Sequence, residues 1–316
     1  MAAPLRLAVV GLGRIAAAHL EALERIEGVE VVAGVDLDPA RDLTFRGSAR
    51  PVHGDVAALA GAGLDAAVVT VPTSEHLAVC RALAAAGVRQ ALVEKPLVAA
   101  RSELDKLDAA RGAMAVWPLL HFALADEVRW AAARISAWTS AHGPVDELVQ
   151  YYSDPYLPHL EERRRSLAGS WLDSGINALS VAARLAPLGE VRRAVPLVGE
   201  PGEGAAVELD LVAGGTATVV TSWHARRSSK HTHLRLADGA RVLIDHTAGS
   251  GLLVAGGALA EQFAPADDGL ASMVSHYVAV YRDWLAEPAA SDERLAAGRE
   301  LLRRVYDAQE LLEPGT

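Results

Sequence analysis

The first 118 residues alternate short apolar runs with amphipathic stretches, a pattern typical of βαβ units around a parallel sheet. The predicted strands of this part are Leu5–Val10, Val29–Val35, Leu64–Val71, Gln90–Val93 and Met114–Trp117. The predicted helices are Ile15–Ile26, a stretch from near Glu75 to Gly87, and a stretch from an N-cap at Ser102 to Ala110. We therefore predict a doubly wound α/β domain over residues 1–118.

After Pro118 the pattern changes, because strands follow one another directly and helices gather in separate blocks. The predicted strands are Asp146–Tyr152, Ala206–Val212, Thr216–Trp223, His231–Leu236 and Arg241–Asp245, the last two joined by an Asp238-Gly239 hairpin signal. The predicted helices end near Ala141 and cover Asp173–Ala186, Ala271–Leu285 and Asp292–Leu312, with a turn at Glu287–Ser291. This order predicts an α+β domain over residues 119–316, with a large, open-faced, mostly antiparallel sheet.

Composition narrows the class of protein. The formal net charge of −10 argues against nucleic acid as a partner, and we expect Arg163-Arg164-Arg165 to be a solvated face or an anion contact. No apolar run reaches membrane-spanning length and no charged leader opens the chain, so we expect a cytoplasmic protein with no membrane partner. Cys80, the single cysteine, lies in an apolar helix pattern that favours a buried, unreactive thiol.

A glycine-rich turn stands between the first predicted strand and the first predicted helix. It reads Gly11-Leu12-Gly13-Arg14-Ile15-Ala16, in which Gly11 permits the tight turn and Gly13 lets a pyrophosphate approach the backbone. Asp36 ends the second strand, where a carboxylate accepts hydrogen bonds from ribose hydroxyls and repels a 2′-phosphate. The pattern predicts a dinucleotide site and favours NAD over NADP, although Arg14 and Arg41 could reverse that preference.

Two further segments follow the carboxyl ends of predicted strands, the edge at which open α/β sheets bind ligands. Pro72 and Thr73 follow one strand, and we expect them at the cofactor. His76 lies near the start of the next helix, where packing and capping are as good an interpretation as cofactor contact.

Glu94-Lys95-Pro96 follows the next strand. Only three of the 30 basic Lys and Arg residues are lysines, and one of them is Lys95. Lysine can give up its proton where arginine cannot, so Lys95 suits a role in exchanging a substrate proton during hydride transfer. The alternative is a surface lysine paired with Glu94, which does not explain the choice of lysine in an arginine-rich chain.

Together, Gly11–Ala16, Pro72-Thr73 with His76, and Glu94-Lys95-Pro96 resemble the glucose–fructose oxidoreductase / inositol dehydrogenase (Gfo/Idh/MocA) family. The resemblance implies that Lys95 contacts substrate beside the nicotinamide and that the peptide bond before Pro96 is often cis. It places Glu94 and Lys95 with the cofactor-binding residues, and it implies that the open-faced sheet serves oligomerisation, as a homodimer or homotetramer.

The family usually carries an Asp-x-x-x-His motif on the first long helix of its second domain, and this chain has Asp173 and Asn177 at those positions. The spacing places both on one helix face. An amide can hydrogen-bond a hydroxyl but cannot act as a general base, so proton transfer shifts to Lys95, with Asp173 as its electrostatic partner. The alternatives are a helix N-cap for Asp173 and an ordinary helix polar residue for Asn177.

The segment around Asp173 is similar to that of D-galactose and L-arabinose 1-dehydrogenases, but the flanking segments differ from theirs. We expect a sugar, a cyclitol or a sugar-like intermediate as substrate, with these candidate contacts: His121, Tyr156, His159 and Arg163. Reduction of a non-sugar imine or keto intermediate, and a non-catalytic dinucleotide sensor, are the alternatives. We read His231 and His233 as sheet-face residues, and no spacing of His, Asp or Glu predicts a metal site.

Overall fold

The computed structural model describes residues 3–156, 160, 169–197, 202–265 and 272–313. They divide into two compact units, one of residues 1–120 with 273–300 and one of residues 121–272 with 301–316. The N-terminal segment of the first unit ends at residue 120, two residues beyond the domain boundary predicted at 118. Residues 273–300 pack with the N-terminal unit, although the sequence pattern had grouped them with the second domain.

The first unit is built on a six-stranded parallel sheet with the order β5-β2-β1-β6-β7-β8. Its strands are β1 (Leu5–Val10), β2 (Val29–Val35), β5 (Val52–His53), β6 (Ala66–Val69), β7 (Gln90–Val93) and β8 (Ala115–Pro118). A small hairpin, β3 (Thr44–Phe45) with β4 (Ser48–Ala49), precedes β5. The central strand β6 is buried throughout, and β1 is buried from Leu7 to Val10, as these apolar runs require in a sheet covered on both faces.

Helices of the first unit cover this sheet. They are α1 (Arg14–Glu24), α2 (His76–Ala85), α3 (Lys106–Arg111) and, from the later part of the chain, α7 (Ser272–Ala286). Helix α7 buries Tyr277, Tyr281 and Trp284, and the Trp284 indole donates to the Gln90 side chain of β7 over 2.6 Å. This apolar face explains why 273–300 belongs to the first unit.

An eight-stranded sheet of order β10-β11-β12-β9-β13-β14-β15-β16 forms the second unit. Its strands are β9 (Val145–Pro155), β10 (Leu188–Pro196), β11 (Gly204–Leu211), β12 (Thr216–Ser222), β13 (His224–Leu236), β14 (Arg241–Asp245), β15 (Ser250–Ala255) and β16 (Ala258–Phe263). Only β12 and β9 pair in parallel within this sheet, so the predicted mostly antiparallel sheet is confirmed. Gly239 adopts a φ of +91° in the turn between β13 and β14, as the hairpin signal predicted.

The remaining helices are α4 (Asp126–Ala132), α5 (Ile135–His142), α6 (Ile176–Leu185) and α8 (Ser291–Leu312). The single helix expected before Ala141 is therefore two helices, which a break at 133–134 separates. The strands β10, β15 and β16 were missed. Strands β10 and β16 carry charged residues at positions that the sheet leaves exposed or partly exposed, and β15 opens with Ser250 and Gly251, which are not typical of strands. In the described part of the chain, no helix combines the length and apolar character needed to cross a membrane.

Two predicted helix starts differ in detail. Ser102 lies inside a 3₁₀ turn, Arg101–Glu103, rather than capping a helix, and α3 begins only at Lys106. Asp173 lies inside a π-helical turn, Trp171–Gly175, whose N-cap is Ser170, so the N-cap alternative for Asp173 was wrong.

Candidate functional site

The glycine-rich turn has the close contact that its sequence predicted. Gly11 has a φ of +90°, and a Cβ on it would lie 2.8 Å from the backbone nitrogen of Val71. Glycine is therefore required twice, by the left-handed conformation and by the approach of the segment after β6. Thr70 secures this approach, because its hydroxyl donates to the carbonyl oxygens of Val10 and Gly11.

The next residues leave room for an anion. A Cβ on Gly13 would meet nothing within 4 Å, and Gly13 is the N-cap of α1 with no side-chain capping hydrogen bond. Arg14 and Ile15 form the first helical positions, so backbone N–H groups at the helix N-terminus face this opening. These features fit a dinucleotide pyrophosphate. Leu12 packs against Gly34 of β2, where a Cβ would meet its side chain at 3.1 Å.

Asp36, directly after β2, is held beside this turn. Its carboxylate accepts hydrogen bonds from the backbone N–H groups of Leu12 (2.7 Å) and Asp38 (3.0 Å), and Arg41 lies 3.3 Å away. Burial raises the pKa of this carboxyl, but the two N–H donors and the Arg41 charge together outweigh burial and hold the pKa below its ordinary value. The group is therefore an ionised acceptor, suited to ribose hydroxyls.

A residue that sequence reasoning missed follows Asp36. The Leu37 side chain is 97% exposed, directly after the Asp36 carboxylate. Next to a ribose acceptor it offers an apolar surface on which a purine ring can pack. Its signal in the sequence was an apolar residue directly after the acidic residue that ends β2.

Buried contacts of the His76 ring hold the segment after β6 in place. Pro72 is exposed and Thr73 is half-buried at the carboxyl edge of the sheet, as predicted. His76 is fully buried, with Nε2 3.1 Å from the Val71 carbonyl oxygen and Nδ1 3.0 Å from the Pro96 carbonyl oxygen. Burial lowers its pKa. Both ring nitrogens face protein carbonyls, so the arrangement favours the packing interpretation of His76 over a cofactor contact.

Lys95 follows β7 at the same edge of the sheet, and its side chain is half-buried. The strands β1, β6 and β7 are adjacent and parallel, so their carboxyl ends bring three segments side by side: the glycine turn, Pro72-Thr73 and Lys95. The bond between Lys95 and Pro96 is cis.

The Glu94 carboxylate is buried in a polar network rather than displayed at this edge. Tyr277 donates to its Oε1 over 2.6 Å, His19 Nε2 lies 3.0 Å from the same atom, and Oε2 accepts from the Lys95 backbone N–H over 3.0 Å. His19 in turn lies 2.7 Å from the Tyr281 hydroxyl. These contacts give Glu94 a role in holding the Lys95 backbone, which differs from the expected cofactor contact.

Burial and then the Glu94 charge raise the pKa of Tyr277, and the same two causes raise that of Tyr281. Both phenols therefore remain protonated donors. Sequence reasoning missed His19, Tyr277 and Tyr281, because each lies in an apolar helix pattern that indicates only a core.

In the second unit, the π-helical turn and α6 carry the motif residues. Asp173 is half-buried, and Asn177 is 5% exposed. The Asn177 Oδ1 atom is buried and has no hydrogen-bond partner among the described residues. A buried acceptor of this kind is costly unless a ligand supplies a donor. Gly175 permits the turn, since a Cβ there would meet the Trp171 ring at 2.8 Å.

The remaining substrate candidates divide into two groups. His121 is buried with its ring 4.7 Å from that of Phe122, and the Tyr156 ring lies 5.9 Å from that of Trp223. His159 and Arg163 lie outside the described residues. No cluster of three or more His, Cys, Asp or Glu suited to a metal occurs in the part of the chain that the structure describes.

Most of the N-terminal unit matches a known protein family. Residues 5–116 match the model of the GFO_IDH_MocA family, described as an oxidoreductase family with an NAD-binding Rossmann fold. No curated protein matches the chain.

Several solved structures share the fold of both units. An inositol dehydrogenase homologue from Azotobacter vinelandii, complexed with NADH and myo-inositol, is 18% identical with a TM-score of 0.82, over 98% of this chain and 96% of that one. An Agrobacterium radiobacter oxidoreductase in complex with NAD+, L-tartaric acid and magnesium is 17% identical, with a TM-score of 0.81 over 97% and 96%. A mutant 3-ketoreductase from Actinomadura kijaniata, with TDP-benzene and NADP, is 20% identical, with a TM-score of 0.77 over 98% of each chain.

The matched residues 5–116 contain the turn, Asp36 and Glu94-Lys95-Pro96 described above. The predicted cofactor class, a nicotinamide dinucleotide, is thereby confirmed. Residues 5–116 of the chain are therefore similar to the NAD-binding Rossmann domain of the Gfo/Idh/MocA oxidoreductases.

Proposed function

We propose that the chain is a cytoplasmic dehydrogenase that oxidises a carbinol carbon of a sugar, a cyclitol or a sugar-like intermediate, or reduces the corresponding ketone. The observation that carries the proposal is the alignment of the glycine turn, Pro72-Thr73 and Lys95 along one edge of the parallel sheet. This edge brings a half-buried amine next to a site that fits a dinucleotide.

The residues divide the chemistry among them. The opening at Gly13 and the Asp36 carboxylate would hold the dinucleotide, and the carboxylate favours NAD over NADP. A bound nicotinamide would supply or accept the hydride. Lys95 holds the substrate hydroxyl and exchanges its proton as the carbon is oxidised. Asp173 and Asn177 are the substrate-orienting groups of the second unit. The buried Asn177 Oδ1, which no described residue hydrogen-bonds, supports that role. Asn177 cannot act as a general base, so the proton passes through Lys95.

A direct test couples cofactor binding to turnover. NADH binding is measured by fluorescence, and reduced nicotinamide is then followed by absorbance across a panel of sugars, cyclitols and keto-sugars. We expect tight NADH binding and turnover of at least one member. Binding without turnover of any member would favour a non-catalytic sensor, and no affinity for NADH or NADPH would refute the proposal.

We also infer that a second copy of the chain covers the outer face of the eight-stranded sheet. Val149 and Tyr151 of β9 are exposed on that face, opposite His233 and His231 of β13. On the same face, Arg235 Nε lies 3.2 Å from Glu147 Oε2. Because this face carries both charges, two copies related by a two-fold axis can pair opposite charges across it. Tyr151→Lys should shift the protein to monomer in light scattering, whereas an unchanged oligomer or a monomeric parent would refute this interface.

A further inference from the structure

A buried ion pair in the second unit lies beside the helix that carries Asp173 and Asn177. Lys230 of β13 pairs with Asp154 of β9, and the two side chains are only 11% and 12% exposed. The pair ties β13 to the carboxyl end of β9, since Lys230 stands opposite Tyr152 in the register. Lys230 is one of three lysines in the chain, so the composition argument made for Lys95 applies to it as well.

Asp154 connects this pair to the motif helix. Its second oxygen accepts a hydrogen bond from the Ser174 hydroxyl over 3.0 Å, and Ser174 is 3% exposed. Ser174 directly follows Asp173 and lies three residues before Asn177, so Ser174 and Asn177 are neighbours on one helical surface. Asn177, whose buried Oδ1 has no hydrogen-bond partner among the described residues, therefore shares a helical surface with Ser174, the residue that donates to Asp154.

Stability alone does not account for the pair. Burying two opposite charges costs desolvation that their attraction only roughly repays, and apolar residues of the same size are often as stable. Lys230 has three N–H donors, of which Asp154 and Ser228 (3.0 Å) take two. The Lys230 Nζ atom also lies 6.0 Å from the centroid of the Phe122 ring, which closes one side of the cluster.

We propose that Lys230 and Asp154 form a recognition pair for adjacent hydroxyl groups of a neutral polyhydroxylated substrate. The inference rests on the proposed function and deepens it. Lys230 donates to one hydroxyl, Asp154 accepts from its neighbour, and Asn177 Oδ1 accepts from a third group. Because the pair carries no net charge, it offers no net attraction to an anion, and the Asp154 carboxylate repels a carboxylate or a phosphate placed against it. The pair therefore selects neutral polyols over their acidic counterparts.

Removing one charge should reverse this selection. Asp154→Asn leaves the Lys230 ammonium uncompensated, so the cluster becomes a cation site. Matched ligand pairs test the reversal: D-glucose with D-glucuronate, and D-galactose with D-galacturonate, titrated by calorimetry into the NADH-saturated protein. We expect the wild-type chain to bind the neutral member of at least one pair more tightly, and Asp154→Asn to lower the neutral-to-acid affinity ratio by about tenfold or more.

Two further variants serve as controls. Asp126→Asn makes the same change in an ion pair with Arg129 whose side chains are 67% and 56% exposed, and it should leave the ratio unchanged. If Asp154→Asn does not fold, the double variant Lys230→Met with Asp154→Leu removes both charges together. It should weaken binding of the neutral ligand without improving that of the acid.

The outcomes separate the two proposals. An unchanged ratio in Asp154→Asn, tighter wild-type binding of the acid, or wild-type binding of no ligand in either pair overturns the recognition pair, whatever the turnover. Selective binding of a neutral ligand without hydride transfer to or from any panel member overturns the dehydrogenase proposal and leaves the recognition pair standing.

Discussion

The Tyr277 hydroxyl donates a 2.6 Å hydrogen bond to the Glu94 carboxylate, which lies 183 residues away in the sequence. Glu94 immediately precedes Lys95, and its other oxygen accepts from the Lys95 backbone N–H. A residue of α7 thus acts on the proposed proton-transfer group through the carboxylate between them. His19, 3.0 Å from the same Glu94 oxygen, supports this carboxylate from α1.

Tyr277→Phe removes one donor and leaves a buried carboxylate less satisfied. We expect the free energy of unfolding to fall by about 1.5–3 kcal/mol, because the lost hydrogen bond involves a charged acceptor. The measurement is urea unfolding followed by circular dichroism. Ser140→Ala, which removes the hydrogen bond of an exposed hydroxyl to the Ser136 carbonyl oxygen, is the control and should change stability by less than about 0.5 kcal/mol. Equal effects in the two variants would mean that the Glu94 contact contributes nothing.

Lys95→Met should separate binding from chemistry. The variant keeps the length and apolar stem of the side chain but cannot hold or exchange a proton. We expect NADH affinity near that of the wild-type chain and turnover lower by about 10²-fold or more on the substrate found in the panel. Lys106→Met, at an exposed lysine of α3, provides the control and should retain full activity. Near-normal turnover in Lys95→Met would remove Lys95 from the mechanism.

Asp36→Asn should weaken NADH binding by about tenfold and narrow the preference for NADH over NADPH, because a carboxylate accepts ribose hydrogen bonds better than an amide does. Fluorescence titration with both dinucleotides measures this change. Asp38→Asn, two residues away, should have little effect. An Asp36→Asn protein with unchanged affinity for both dinucleotides would contradict the assignment.

The lowered pKa of Asp36 adds a pH prediction. Its carboxylate stays ionised in the folded protein below the ordinary range, so its contribution to stability is complete above the unfolded value of about 3.9. That contribution is lost as the pH falls through the lower, folded value. Titration of Asp36 should therefore cause no change in NADH affinity between pH 8 and pH 5. If NADH affinity falls in that interval and Asp36→Asn abolishes the fall, the lowered pKa of Asp36 is contradicted.

Cys80 should be unreactive in the native protein. Burial raises the pKa of its thiol from 9.0 to about 12, so almost no thiolate forms at pH 8. A disulfide exchange reagent should therefore label the chain at pH 8 only after denaturation, and rapid labelling of the native protein would contradict the burial. Because the unfolded thiol ionises first, the stability contributed by the neutral thiol is present below pH 9 and decreases as the pH rises towards 12.

Much of the cofactor site could be predicted because its parts are local. A strand, a glycine that needs a left-handed φ, and a helix N-terminus lie within a dozen residues from Leu5 to Ala16, and short-range sterics select each of them. The predicted bounds Leu5–Val10, Val29–Val35 and Gln90–Val93 agree with the structure because apolar residues predominate in each strand and most of them are buried. The outer strands β15 and β16 are mostly partly or fully exposed.

The amino-acid sequence on its own specified three features: the order of strands and helices over residues 1–118, the dinucleotide turn, and the functional assignment of Lys95. Tertiary packing alone decided which neighbours these residues have. The contact of Tyr277 with Glu94, the assignment of 273–300 to the first unit and the pairing of Lys230 with Asp154 each join distant segments. The physical reason is that a polar residue in an apolar helix or strand pattern indicates burial, whereas its hydrogen-bond partner depends on how the elements pack.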